Sequence, residues 1–561
     1  MDDSRDESGG ICAGPQLLRR RLLKGTLAGA ASGVLTAANS SYGAEGAGPI
    51  VATAGGRVRG LKQGPVTSFL GLEYGAPTGG TRRFLPAQPP PPRSGVRDAF
   101  SLGPQCPQTP LDFPAWVDPS PAGENCLALN VFTPAQDFYR ERLPVMVWIH
   151  GGAYVFGSAY SKLYDCASLA RSGNVVVVGI NHRLNLFGYT QLADRGDERF
   201  WASGNTGQLD LVAALQWIRT NIAEFGGNPR NVTLFGESGG GGKITALMAM
   251  PSARGLFNKA IIQSGSILRL RTRDEASAQT DRLFHALGLK NGDIEKLQAA
   301  PVDKLLAFAQ QALNDQSAPV HPILSIGPVA DGTVIPIDAW QTKAPDTARD
   351  IPTIIGTTRH ESVGFFSTPA HSPVKDDADL IERIQQGVVL GRFSGAQVDA
   401  VLHAYRKALP AYSSQELMVR VATDLGFWRN ALRQADMVHA LGSSSVYMYE
   451  CAWTLPCHQG VWAPHGVDIP LIFNVESYGV AWDGNDSDAQ RRAADPRARW
   501  KGVSRQMIAA WTQFARTGDP STRQLKWPAF DAAERSTMVF GRKSSVILDP
   551  RGGVRGAIES A

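Results

Sequence analysis

The chain lacks any apolar stretch of the roughly 20 residues that a bilayer-spanning helix requires, so no stable membrane anchor is expected. It also lacks blocks of like charge. Its 56 basic and 51 acidic residues are interspersed for a formal net charge of +5, which gives no reason to expect a nucleic-acid partner. No metal-ligand spacing and no phosphate-cradling glycine loop occurs, so neither a metal nor an organic cofactor is expected. Repeats and Gly/Ser linkers are missing too, and the Pro89 to Pro92 run reads as a stiff surface connection rather than a hinge. With 43% hydrophobic residues, positions 45–561 therefore read as one large domain.

Residues 1–44 read differently. Arg19-Arg20-Arg21-Leu22-Leu23-Lys24 opens a mild Ala/Gly/Leu/Thr run from Gly25 to Ala38, too short to remain in a bilayer. The segment resembles a twin-arginine export signal with Arg19 and Arg20 as the pair and cleavage between Ala38 and Ala47. A periplasmic or secreted location is the expectation, and a basic disordered tail is the alternative.

Cysteine is scarce, six in all. Beyond Cys12 in the signal, Cys106, Cys126, Cys166, Cys451 and Cys457 are odd in number, so one is free or paired outside the chain. Cys106 with Cys126 is the preferred bridge, closing a Pro-rich loop through Trp116 for about 3 kcal/mol. Cys451 with Cys457 is a second pairing, and Cys166 reads as a small buried hydrophobe.

Short β-branched runs alternate with helical patterns, the signature of an α/β protein whose large, mostly parallel sheet carries helices on both faces. Val145 to Ile149, Val175 to Ile180, Val232 to Phe235, Lys259 to Gln263, Pro352 to Gly356 and Val446 to Cys451 are the expected strands. Leu211 to Phe225 is an expected amphipathic helix, and residues 274–312 and 376–442 read as helical inserts capping the sheet's carboxyl edge.

One strand runs straight into Gly236-Glu237-Ser238-Gly239-Gly240. A serine hydroxyl is a weak nucleophile unless exposed on a tight turn and paired with a base, and this Gly-x-Ser-x-Gly elbow presents Ser238 at the start of a helix whose dipole favours negative charge. Nucleophile, acid and histidine follow in that chain order. Glu361, just past the Pro352 to Gly356 strand, is the candidate acid, and Asp331 is a rival that reads more simply as a turn residue. Among ten histidines, His465 in Trp462-Ala463-Pro464-His465-Gly466 is presented on a loop after a strand. His458 lies in a cysteine-bounded loop, while His150, His182 and His360 read as orienting backbone. His150-Gly151-Gly152-Ala153-Tyr154 follows a strand and supplies the expected oxyanion donors, the amides of Gly152, Ala153 and Gly239.

Phe225 to Gly240 resembles the serine signature of the type B carboxylesterases, the cholinesterase-like branch of the α/β-hydrolases. Glu124-Asn125-Cys126-Leu127-Ala128-Leu129-Asn130-Val131 resembles the family's second signature, with departures at Asn125 and Ala128. Further likeness in Phe69 to Tyr74, Asn181 to Leu184, Gly204 to Gly207, Gln263 to Ser266 and Trp511 to Gly518 extends it over about residues 48–550. The resemblance implies an α/β-hydrolase fold and a Ser238–Glu361–His465 triad acting on small-molecule esters through an acyl-enzyme. It also implies the Cys106–Cys126 bridge, an Arg83–Glu124 ion pair, Ser264 as support for the triad, and Glu237 tuning His465 or attracting a cationic group. The Trp116 loop is too short for a cation cage, and the segment with Pro322 and Leu324 lacks the paired phenylalanines of a narrow acyl pocket. A lipase or sterol-ester hydrolase, a carbamate or multi-ester detoxifying hydrolase, and a non-catalytic binding module are the alternatives left open.

Overall fold

The computed structural model describes residues 46–109, 120–315, 322–363, 374–385, 393–455, 462–476 and 488–561. The expected signal, Trp116, Cys457 and His458 lie outside them. Among the described residues thirteen strands form one sheet. Seven central strands run parallel, in the spatial order Val176–Ile180, Leu143–Ile149, Gly227–Glu237, Lys259–Gln263, Thr353–Thr358, Val446–Cys451 and Thr537–Phe540. Antiparallel strands extend both edges, Ala128–Thr133 beside the first and Ser545–Ile547 beside the last.

Val176–Ile180, Lys259–Gln263 and Val446–Cys451 are buried from end to end because helices cover both faces, which is why they read as continuous apolar runs. Alternation persists in which core each side chain enters. Val145, Val147 and Ile149 join one apolar cluster and Met146 and Trp148 the other. There Trp148 lies 4.9 Å from the Phe235 ring and 5.0 Å, edge-on, from Phe473.

Two boundaries differ most from expectation. The helix placed at Leu211 begins at Thr206 and gives way to a 3₁₀ turn, Ile222–Phe225, that Gly226 ends at φ 78°. Its first turn buries Gln208 and Asp210, the latter in a 2.6 Å pair with Arg183, and such interior polar residues hide the helix from a reading of apolar periodicity. The elbow strand starts at Gly227, where Gly227 pairs with Leu143. Helices Arg273–Ala286, Ile294–Gln298 and Val302–Leu313 precede the Thr353–Thr358 strand. Asp377–Gln385, Gly395–Ala408, Ser414–Thr423 and Arg429–His439 come after it, with a π-helical turn at Asp424–Trp428. Capping boxes at Thr272/Glu275, Ser394/Gln397 and Ser413/Glu416 start three of these helices.

The expected bridge between Cys106 and Cys126 is not formed. Both are free thiols, buried side by side within the core. Cys126 is hydrogen-bonded to Cys106, whose sulfur accepts from the Leu184 amide at 3.2 Å. Each is satisfied as a small buried thiol, so packing does not demand the bond. Cys451 is likewise a free thiol. Arg83 does grip Glu124 with both branches of its guanidinium, at 2.7 and 2.6 Å.

Gly356 shows how tightly the strands are faced. A Cβ there would stand 2.0 Å from the Tyr449 ring, which lies over it and carries its hydroxyl to Asp468 Oδ2 at 2.7 Å. Replacement by alanine is expected to displace the ring and destabilise the fold by about 1–3 kcal/mol, the usual range for overpacking. Chemical denaturation of G356A checks this; a loss below about 0.5 kcal/mol would mean the ring yields freely.

Candidate active site

Five neighbouring strands end at the same edge, and each delivers one segment of the site. Leu143–Ile149 leads to His150–Tyr154, Gly227–Glu237 to Ser238, Lys259–Gln263 to Ser264, Thr353–Thr358 to Glu361, and Val446–Cys451 to the loop bearing His465. Carboxyl ends of parallel strands are where open α/β sheets form clefts.

Ser238 sits at φ 55°, ψ −123°, a conformation that L-residues avoid. It is held there by its amide, which donates to Gln263 O at 2.7 Å, and by its carbonyl, which accepts from Gly242 N at 3.0 Å. Ala153 and Ser264 also have positive φ, at 48° and 51°. Such residues each store about 1–3 kcal/mol and persist only where the surroundings over-determine them. The elbow helix, Gly239–Ala249, rests backbone to backbone on the His150–Tyr154 loop, since a Cβ on Gly239 would fall 2.1 Å from Ala153 O. Gly239 and Ala153, two of the expected amide donors, are thus brought together from different strands.

Glu361 is completely buried and fully engaged. Oε1 accepts from Ser264 Oγ at 2.6 Å and Thr358 N at 2.7 Å, and Oε2 meets His465 Nδ1 at 2.5 Å. The imidazole's other nitrogen, Nε2, is 3.0 Å from Glu237 Oε1. Ser238 is the next residue in the chain, so its hydroxyl issues from the elbow that presents Glu237 to the ring. Of this group Ser238 alone retains surface, 9% against 0% for Glu237, Glu361 and His465.

Charge is concentrated here. Burial pushes the Glu237 carboxyl up to about 8, with Asp468 and Glu361 adding to the rise and His465 opposing it. Burial disfavours the His465 imidazolium, but the carboxylates of Glu237 and Glu361 outweigh it and bring the ring up to about 9. The two groups are coupled through their 3.0 Å contact: a proton on Glu237 removes the charge that raises His465.

Asp331 is not part of this cluster. Its Oδ1 accepts from the amides of Thr333, Val334 and Ile335, the work of a turn residue. His150 and His182 stack at 4.8 Å. His360 ties the acid loop to the histidine loop, its amide donating to Ala463 O and its Nδ1 accepting from Ala463 N, both at 3.0 Å.

Three residues were not singled out from the sequence. Asp468 is buried beneath the histidine loop and accepts from Tyr449 Oη and from Gln263 Nε2 at 3.0 Å. Phe427, in the π-helical turn, lies 5.2 Å from the His465 ring. Lys243 is buried, its Nζ donating to His150 O at 3.0 Å. A lysine directly after four glycines was a signal for the last; for the others no local signal exists.

A family model described as the carboxylesterase family matches residues 47–551. The chain belongs to the carboxylesterase family. It is 35% identical over 506 residues to the para-nitrobenzyl esterase of Bacillus subtilis (strain 168), covering 89% of this chain and 96% of that one. A medium-chain fatty acyl-CoA hydrolase precursor of Anas platyrhynchos is 33% identical, with 87% and 88% covered. The crystal structure of a Geobacillus stearothermophilus carboxylesterase superposes with a TM-score of 0.76 at 34% identity, covering 91% of this chain and 99% of that one. The family read from the motifs, its α/β-hydrolase architecture and its enzyme class, a carboxylic ester hydrolase, are borne out.

In this carboxylesterase, Glu237→Gln keeps the shape of the side chain but removes the negative charge that raises His465. The acid limb of the pH–kcat/KM profile is therefore expected to move to lower pH, by about one unit or more. An unmoved or upward-shifted limb in E237Q would show that Glu237 does not set the imidazole's basicity.

Proposed function

We infer that the chain hydrolyses carboxylic esters through an acyl-enzyme on Ser238, with His465 as general base and acid and Glu361 as its partner. The observation that carries this reading is the imidazole held on Nδ1 by Glu361 at 2.5 Å while Nε2 faces the elbow. In the first step His465 takes the Ser238 proton as the oxygen attacks the ester carbonyl, and the oxyanion rests on the amides of Gly152, Ala153 and Gly239. His465 then protonates the departing alcohol. Water repeats the sequence on the acyl-enzyme, releasing the acid and restoring the serine. Glu361 keeps the imidazole in the tautomer whose Nε2 carries the lone pair, and Ser264 and Thr358 fix Glu361 in turn.

Ser238→Ala is expected to lower kcat on p-nitrophenyl butyrate by about 10⁴-fold or more, with an unchanged melting temperature. A serine-directed organophosphate should add one covalent label to the wild type and none to S238A. Undiminished turnover in S238A would remove the nucleophile assignment.

Export remains part of the proposal. Arg19 and Arg20 would direct the folded enzyme through a twin-arginine route to the periplasm or the exterior. Fractionation of cells expressing the wild type and the Arg19→Lys, Arg20→Lys double variant should find the first outside the cytoplasm and the second retained. Equal retention of both would refute the route.

A further inference from the structure

The strand Leu143–Ile149 makes its last register pairs at Ile149, opposite Ile180 on one side and Gly236 on the other. The next carbonyl, that of His150, lies past both ladders in a residue only 1% exposed. A buried carbonyl needs a donor. The elbow helix approaches too closely for any side chain in its first turn to provide one. A Cβ on Gly240 would stand 2.0 Å from Ile149 O and 3.0 Å from His150 O. The donor comes from the same face one turn on, where Lys243 Nζ reaches His150 O at 3.0 Å.

A neutral donor would satisfy that carbonyl more cheaply than a buried ammonium. Lys243 is 0% exposed, and no carboxylate pairs with it among the described residues. Burial pulls its ammonium down to about 7. Burial together with Lys243 holds the imidazole of His150 well below its usual value, so that ring stays neutral beside it. The cation thus stands without a counter-charge behind Gly151-Gly152-Ala153, whose backbone is held at φ 83° and 48° at the last two positions.

We propose that Lys243 is a positioning residue of the esterase reaction: its ammonium fixes the His150–Gly151 peptide and, through it, the amides of Gly152 and Ala153 that face the oxyanion. The proposal rests on the serine-esterase reading above. Negative charge appears at this loop only as the tetrahedral intermediate forms, so an anchored loop with a cation behind it favours that state over bound substrate.

The test compares Lys243→Met, Lys243→Gln and Lys243→Arg with the wild type on p-nitrophenyl butyrate and on a trifluoromethyl ketone, which serine converts to a bound oxyanion. K243M should lower kcat roughly ten- to a hundredfold, below the loss from deleting an oxyanion donor outright, and leave KM within about threefold. Ketone affinity should fall by the same factor as kcat/KM. K243R, which keeps a cationic donor, should recover most of both. If K243M does not fold, K243Q carries the same measurement. The proposal is overturned by kcat and ketone affinity within about threefold of wild type in a folded K243M or K243Q. It is equally overturned if all three variants fail to fold, or if K243R loses as much as K243M, since Lys243 would then be core packing. Failure of the parent reading shows elsewhere, in wild-type protein that neither binds the ketone nor takes an organophosphate on Ser238.

Discussion

At the centre of this enzyme two stretches of backbone touch with no side chain between them. The first turn of the helix Gly239–Ala249 lies against the end of the strand Leu143–Ile149 and the adjoining loop, and any Cβ at Gly239 or Gly240 would sit about 2 Å from carbonyl oxygens there. Only glycine permits that approach. Because of it, the loop after one strand and the N-terminus of the helix after another are brought together, and Ser238 stands in a strained conformation at the start of that helix. The strain survives because hydrogen bonds on both sides hold it: Ser238 is tied to Gln263, Ser264 to Gly356, and Asn185 to Tyr154. Catalytic geometry here is a property of how closely the main chains are packed, and the side chains are added to it.

Around that arrangement the enzyme buries more charge than its core could tolerate unorganised. Glu361 is satisfied by two donors and an imidazole. Among the described residues Glu237 has no such donors beyond the His465 contact, and burial correspondingly drives it toward the protonated form. Two carboxyls on one imidazole therefore differ in their surroundings, Glu361 being held by two further donors, while both raise the ring. Lys243 is held apart from this acidic group, its Nζ donating to His150 O at 3.0 Å.

Legibility in the sequence divides along contact distance. The strand at Lys259–Gln263 and the one at Val446–Cys451 were expected to the residue, because a fully buried parallel strand writes itself as a local apolar run. The elbow, Glu361 and His465 were legible because each comes after such a strand within a few residues of glycine or proline. Helix starts were less so: Thr206 to Asp210 hides its helical turn behind buried polar groups. Asp468 was invisible because its meaning lies in Gln263, 205 residues away, and in a tyrosine that must cross a glycine to reach it. The Cys106–Cys126 pairing failed for a different reason. Family likeness placed the two sulfurs together, as they are, but proximity alone does not set their oxidation state.

The loops that carry acid and base are also braced from behind, and the brace is ionic. Burial alone would push the Glu450 carboxyl up, yet Arg551, Arg420 and Arg359 together hold it well below the usual carboxylate range. Arg359 stands two residues before Glu361, and its backbone oxygen accepts from Arg420 at 3.1 Å, so the acid loop is fastened at its base. Arg551 reaches from the C-terminal segment to Asp424, the first residue of the π-helical turn, and its guanidinium lies 5.2 Å from the Trp428 ring at the end of that turn. A π turn carries an extra residue into the helix and rotates the succeeding side chains about its axis. Phe427, within that turn, lies 5.2 Å from the His465 ring. The same arginine cluster thereby joins the segment bearing Glu361 to the π-helical turn bearing Phe427, so that an ion network centred on the buried Glu450 and Asp424 braces both neighbours of the imidazole.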